Sequence, residues 1–204
     1  MRRPMSQIAR EALDRGSVDF QSLSNGPAAT DVWIDARLGL VLMAHRRDDG
    51  LVAEELYQAV RDDSGQWSEC DHLNGGITGV DIESPEAVAQ ALTGSFMEIV
   101  SESTSLIFTG CADDEEAEEE DCDEGAEGLE LLRILNVLVG DRVDVIELEY
   151  LTHSSSPALE PRIREVASPL VLIVLLPGQR VRVSPARRDG ASTSRLGQSW
   201  EIAN

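Results

Sequence analysis

Residues 32–44 read Val-Trp-Ile-Asp-Ala-Arg-Leu-Gly-Leu-Val-Leu-Met-Ala, and this stretch decides the fold class. Val32, Ile34, Ala36, Leu38, Leu40, Leu42 and Ala44 are apolar at every second position, while Trp33, Asp35, Arg37, Gly39 and His45 fall on the other parity. Side chains of a β-strand alternate between faces, so this period of two predicts a half-buried strand, or a hairpin turning near Arg37.

Downstream, Asp48-Asp49-Gly50 is a hairpin turn, and Leu51 to Val60 reads as the returning strand, although its Glu-Glu-Leu-Tyr-Gln-Ala-Val content also suits a helix. Asp62-Asp63-Ser64-Gly65 turns the chain again into Gln66 to Cys70, and Asn74-Gly75-Gly76 reads as loop. Upstream, Ser6 to Gly16 reads as an amphipathic helix capped by Ser6, with Ile8, Ala9, Ala12 and Leu13 on one face. Residues 17–30 read as loop. Ser84-Pro85-Glu86 starts a second short helix, which buries Val88, Ala91 and Leu92 and stops at Gly94. Phe96 to Thr109 is rich in strand-forming residues.

Leu129 to Val139 is apolar on both parities, as a strand buried on both faces would be, with a short buried helix as the alternative. Gly140-Asp141 turns it into Arg142 to Leu151. Leu170 to Leu176 is a second buried strand, and Pro177-Gly178 is a type II turn signal. Gln179 to Ser184 then returns with Val181 and Val183 inward and Arg180 and Arg182 outward. Arg188-Asp189-Gly190 turns again, and Ser199 to Ala203 forms a last strand.

The expected fold is therefore mainly β, with α+β as the alternative: an antiparallel, sandwich-like meander with two or three short helices. Residues 1–30 are the N-terminal helix and loop, 31–111 a front β-rich part, 112–128 a disordered acidic loop or linker, and 129–204 a back β-rich part. Front and back are expected to pack as one domain. Two small domains joined by the acidic linker are the alternative.

Charge placement is uneven. The 204 residues carry a net charge of −21, and all 17 basic residues are arginine. Between Asp62 and Leu132 there are 21 acids and no arginine, whereas the other 133 residues balance 17 acids with 17 arginines. A lysine-free acidic chain points to GC-rich coding, in a salt-in halophile or a GC-rich bacterium. The absence of lysine excludes a pyridoxal-phosphate Schiff base, an ordinary P-loop and the usual protein-kinase lysine. There is also no G-x-G-x-x-G, G-x-S-x-G or H-E-x-x-H. After Arg2 and Arg3 no apolar segment follows, and the longest apolar run, Pro169 to Pro177, is too short to span a bilayer. With three cysteines and no disulfide framework, a soluble cytoplasmic protein is expected.

Several constellations were weighed as sites. Cys70, His72, Cys111 and Cys122 match no common zinc spacing. Glu119, Asp121, Asp123 and Glu130 mimic an EF loop, but Glu124 stands where the turn needs glycine, which comes one residue late at Gly125. His45, His72 and His153 are the available catalytic histidines, with Ser154 to Ser156 beside the last. The arginines near both ends read as partners of nearby carboxylates, and nucleic acid is not an expected ligand. No catalytic, cofactor-binding or metal-ligating residue is assigned. The interaction candidates are Asp113, Asp114, Glu115, Glu116, Glu118, Glu119, Glu120, Asp121, Asp123 and Glu124, a run of carboxylates suited to a basic protein partner. The expected function is a non-catalytic interaction or accessory protein, and the alternative is a small hydrolase pairing a histidine with a carboxylate.

Overall fold

The computed structural model describes residues 3–108, 129–151, 162–190 and 192–204. The acidic run, Cys111, Cys122, His153 and serines 154–156 lie outside the described residues, so the interaction candidates are not placed. The protein is mainly β, as residues 32–44 predict. Its elements are α1 (Met5–Arg15), β1 (Ala28–Asp35), β2 (Leu38–Arg46), β3 (Val52–Val60), β4 (Asp71–Ile77), α2 (Pro85–Leu92), β5 (Met97–Phe108), β6 (Leu129–Val139), β7 (Val145–Tyr150), β8 (Arg162–Glu165), β9 (Leu170–Leu175), β10 (Arg180–Asp189), β11 (Ser192–Arg195) and β12 (Trp200–Ala203). No described helix is long and apolar enough to cross a membrane.

All pairing is antiparallel, in three sheets ordered β1-β2-β3-β4, β5-β6-β9 and β11-β10-β7-β8, with β12 also on β10. The sheets are stacked. Leu40 and Leu42 of the first sheet share a core with Leu132, Leu138, Leu170 and Leu172 of the middle one. On the middle sheet's other face, Leu135, Val137, Val171 and Ile173 share a core with Ile146, Leu148, Val181 and Val183 of the third. α1 covers the outer face of the first sheet, where Ala9, Ala12 and Leu13 meet Val41, Met43 and Tyr57. The apolar runs of β6 and β9 are thus buried on both sides.

The stretch at residues 32–44 is a hairpin. A two-residue turn at Ala36-Arg37 pairs Asp35 with Leu38 and Trp33 with Leu40, so odd positions of β1 face the same way as even positions of β2. Trp33 therefore joins Leu38, Leu40 and Leu42 against the middle sheet, while Val32 and Ile34 face α1. The single alternation suggested by the sequence reverses at the turn. Val41 and Met43, apolar on the second parity, carry the signal that β2 has a second buried face. Close approach of α1 depends on Gly39, where a Cβ would collide with Leu13 and stand 2.9 Å from the Trp67 ring.

Other expectations are corrected. Pro4, not Ser6, occupies the N-cap of α1, and no side chain caps it. Gln66 to Cys70 is not a strand: only Arg61 and Trp67 form a bridge, with the Arg61 guanidinium 4.2 Å over the Trp67 ring. Pairing resumes on Asp71–Ile77, which includes Asn74-Gly75-Gly76. After the Pro177-Gly178 turn, closed by Gln179 N–H to the Leu176 carbonyl at 3.1 Å, the chain crosses to the third sheet, and β10 pairs with β7 instead of β9. A direct hairpin would leave the second apolar face of β9 without that cover. β8 and β11, Arg-Ile-Arg-Glu and Ser-Thr-Ser-Arg, have no apolar alternation to announce them.

One ion pair fastens three sheet edges, Asp31 on β1, Arg164 on β8 and the backbone of β9. A bulge between Ala29 and Asp31 turns the Asp31 carboxylate toward β9. It accepts Arg164 Nη2 at 2.8 and 2.7 Å, the Leu172 N–H at 2.7 Å and the Val32 N–H at 2.8 Å. Arg164 also donates to the carbonyls of Leu172 and Val32. Three strand edges that cannot pair directly are bridged by side chains, and their polar groups are satisfied. Removing one partner of a buried pair leaves the other uncompensated, so Asp31→Ala is expected to cost about 2–4 kcal/mol, the partial exposure of Arg164 holding it below the fully buried range. Urea unfolding of Asp31→Ala, Arg164→Met and the double variant checks this; additive costs would dissolve the proposed coupling.

Candidate functional site

Two places combine chemistry-bearing side chains. The first is on the outer face of the first sheet, beside α1. Tyr57 stands opposite His72, Glu55 stands between Met43 and Gly75, and His45 follows Met43 on the same face of β2. Three strands therefore bring His45, Glu55, Tyr57 and His72 onto one surface. Glu55 Oε2 is 2.6 Å from His72 Nε2, and Oε1 is 3.3 Å from His45 Nε2. Tyr57 meets His72 edge to face with ring centroids 5.4 Å apart.

Gly75 makes this possible. A Cβ there would overlap Glu55 Oε2 and come within 2.9 Å of the Glu54 carbonyl oxygen. The glycine expected to form a loop instead lets a carboxylate lie across a paired strand.

A histidine held by a carboxylate is a competent base, but the described thiol beside it, Cys70, is not an activated nucleophile. Burial pushes the Cys70 thiol up to about 11, so it is protonated at neutral pH, and Cys70 packs in the α1 cluster with Met5 and Ile8. Burial, then the Glu55 charge, also raises the Tyr57 phenol. No group of three or more histidine, cysteine or carboxylate side chains among the described residues is arranged to hold a metal ion.

The second place is a cleft of about 660 Å³ between α2 and the β6–β7 and β8–β9 connections. Ile82, Val88, Leu92, Phe96, Val139 and Val143 line it, and Asp141, Arg142, Asp144 and Glu165 add charge. The Arg142 guanidinium lies 5.6 Å from the Phe96 ring centroid. The hydroxyls lining the cleft are committed: Ser95 donates to the Met97 carbonyl at 2.6 Å and Ser168 to the Leu170 carbonyl at 3.0 Å. Asp144 accepts the Arg188 N–H at 2.9 Å, and Glu165 is paired with the Arg188 side chain. Asp141 and Arg142 enter no ion pair with another described residue. Neither His45 nor His72 lines this cleft or the two smaller ones, of about 520 and 350 Å³.

The structure thus brings His45 and His72 together and separates both from the cleft. Sequence reading missed Glu55; its signal was the Glu54-Glu55 pair, carboxylates on both faces of a mostly apolar strand. The cleft had no signal, because its walls come from a helix and two turns far apart in the chain. The arginines near the C-terminus are largely neutralised: Arg180 pairs with Glu201, Arg182 with Glu149 and Glu201, Arg188 with Glu165, and Arg195 with Glu147.

No protein-family model, curated protein or solved structure matches the chain.

Two outcomes test these assignments. Gly75→Ala is expected to lower stability by about 1–3 kcal/mol, as overpacking does, and to break the Glu55–His72 bond. Loss of that bond reads as a changed imidazole ¹⁵N shift. Acid unfolding tests Glu147, whose carboxyl is held low by the Arg195 hydrogen bond and then by Thr193. A depressed carboxyl contributes stability above its unfolded value, near 4.3, and loses it as pH falls through the folded one. Glu147→Gln is therefore expected to be less stable at pH 7 and to show a shallower fall in stability below about pH 4.

Proposed function

We propose that the protein is a non-catalytic interaction protein whose cleft between α2 and the β6–β7 turn receives an apolar side chain of a basic partner. The observation that carries this reading is the cleft itself: a concave surface of mixed apolar and charged lining, with its serine hydroxyls already committed. Such surfaces suit an inserted anchor residue. Asp141, Asp144 and Glu165 outnumber Arg142 along the cleft, and with the net charge of −21 they favour a cationic neighbour beside that anchor. Carboxylates 113–124 add longer-range attraction, screened over about 8 Å at physiological salt.

The second reading is a hydrolase at the outer surface, favoured by the 2.6 Å contact between Glu55 and His72. It ranks lower because neither histidine lines a described cleft and the neighbouring thiol is protonated.

Selection of displayed peptides on the wild-type protein is expected to enrich Leu, Ile or Phe next to Arg or Lys. Ala89 lines the cleft from the exposed side of α2, so Ala89→Arg can fill it without disturbing the core. That variant is expected to lose at least about tenfold in affinity, and Asp141→Asn about two- to fivefold, the worth of an exposed charge pair. Binding unaffected by Ala89→Arg would remove the cleft from consideration. Turnover of an ester panel, lost in Glu55→Gln, would favour the hydrolase.

A further inference from the structure

The space between the first and middle sheets is not uniform. Under β1, β2 and β9 it is filled by leucine and tryptophan, but toward β4 and β5 it becomes polar. Glu54 faces inward on β3, between Ala44 and Gly76. It is 5% exposed, and Asn136 on β6 is 7% exposed. Ser101 of β5 connects them, donating to Glu54 Oε1 at 2.7 Å and accepting from Asn136 Nδ2 at 2.8 Å. Nearer the edge, Asn74 Nδ2 donates to Ser103 Oγ at 3.2 Å.

The proton count in this chain is decisive. Ser101 has one O–H, and the Glu54 carboxylate takes it. Ser101 must therefore accept from Asn136, which fixes the amide orientation and leaves Asn136 Oδ1 without that donor. Both Glu54 Oε2 and Asn136 Oδ1 are buried and receive no hydrogen bond. Glu54 is also in no ion pair with a described residue. A buried carboxylate with one donor and no counter-charge is costly, and a second orphan acceptor on the residue two bonds along the chain adds to the cost.

We propose that this is a binding site for one small monovalent cation, sodium or potassium, ligated by Glu54 Oε2 and Asn136 Oδ1. The donor set is oxygen throughout, which suits a hard ion. A single carboxylate is neutralised by a single positive charge, whereas a divalent ion would leave excess charge buried. Ser101, Ser103 and Asn74 are half-buried at the open edge between β4 and β5, and they offer further oxygens along the way in. The cation joins β3 of the first sheet to β6 of the middle one at the edge opposite Asp31 and Arg164.

Thermal unfolding of the whole chain at constant ionic strength in sodium, potassium or tetramethylammonium chloride tests this. The bulky ion screens surface charge equally but cannot enter. Sodium or potassium is expected to raise Tm saturably, by about 3–6 °C at ten times its Kd, relative to tetramethylammonium. Glu54→Gln, which keeps an acceptor for Ser101 and adds a donor, is expected to melt identically in all three salts. Asn136→Asp, with a second carboxylate, is expected to gain Tm from calcium where the wild type does not. Equal Tm values for the wild type in all three salts would overturn the proposal in favour of a water or a proton on Glu54, and would do so even if neither variant folds. A cation effect that survives in Glu54→Gln would also overturn it, placing the ion on the acidic surface.

Discussion

Burial of β9 and of residues 134–139 of β6 on both faces is the constraint on which the rest of the structure depends. Leu132, Leu135, Leu170, Leu172 and Ile173 are fully buried, and they point alternately to two different cores. Strands with no wet face need a packed layer on each side, and here both layers are sheets. The connections after β6 and β9 therefore leave for the third sheet, and the chain before β5 supplies the first. The 660 Å³ cleft opens where the β6–β7 and β8–β9 connections pass α2. It is a by-product of layering, placed where turns rather than strands meet.

The first sheet shows how one strand can serve two surfaces. Glu54 and Glu55 are neighbours in sequence but point to opposite faces of β3. Glu55 turns outward to His45 and His72, across a strand that glycine leaves open. Glu54 turns inward to Ser101 and, through it, Asn136. The two sheets are held by Asp31 and Arg164 at one edge and by this polar chain at the other, with apolar packing between.

Charge follows the same division of labour. Arginines of the third sheet are matched to glutamates on neighbouring strands, so that layer contributes little to the net charge. The excess lies between Asp62 and Leu132, where there is no arginine at all.

Periodicity alone determined a great deal. The alternation at residues 32–44, the two-sided apolar runs of β6 and β9, the Asp48-Asp49-Gly50 turn and the Ser84-Pro85 helix start were all legible, because each depends on residues adjacent in the chain. Tertiary structure decided the reversal of faces at Ala36-Arg37, the pairing of Gly75 and the path from β9 to β10. It also decided the meeting of Glu55 with two histidines and the cleft beneath α2. These depend on which distant surface a segment packs against. Local alternation says that a face is buried, whereas the partner that buries it is chosen only when the sheets stack.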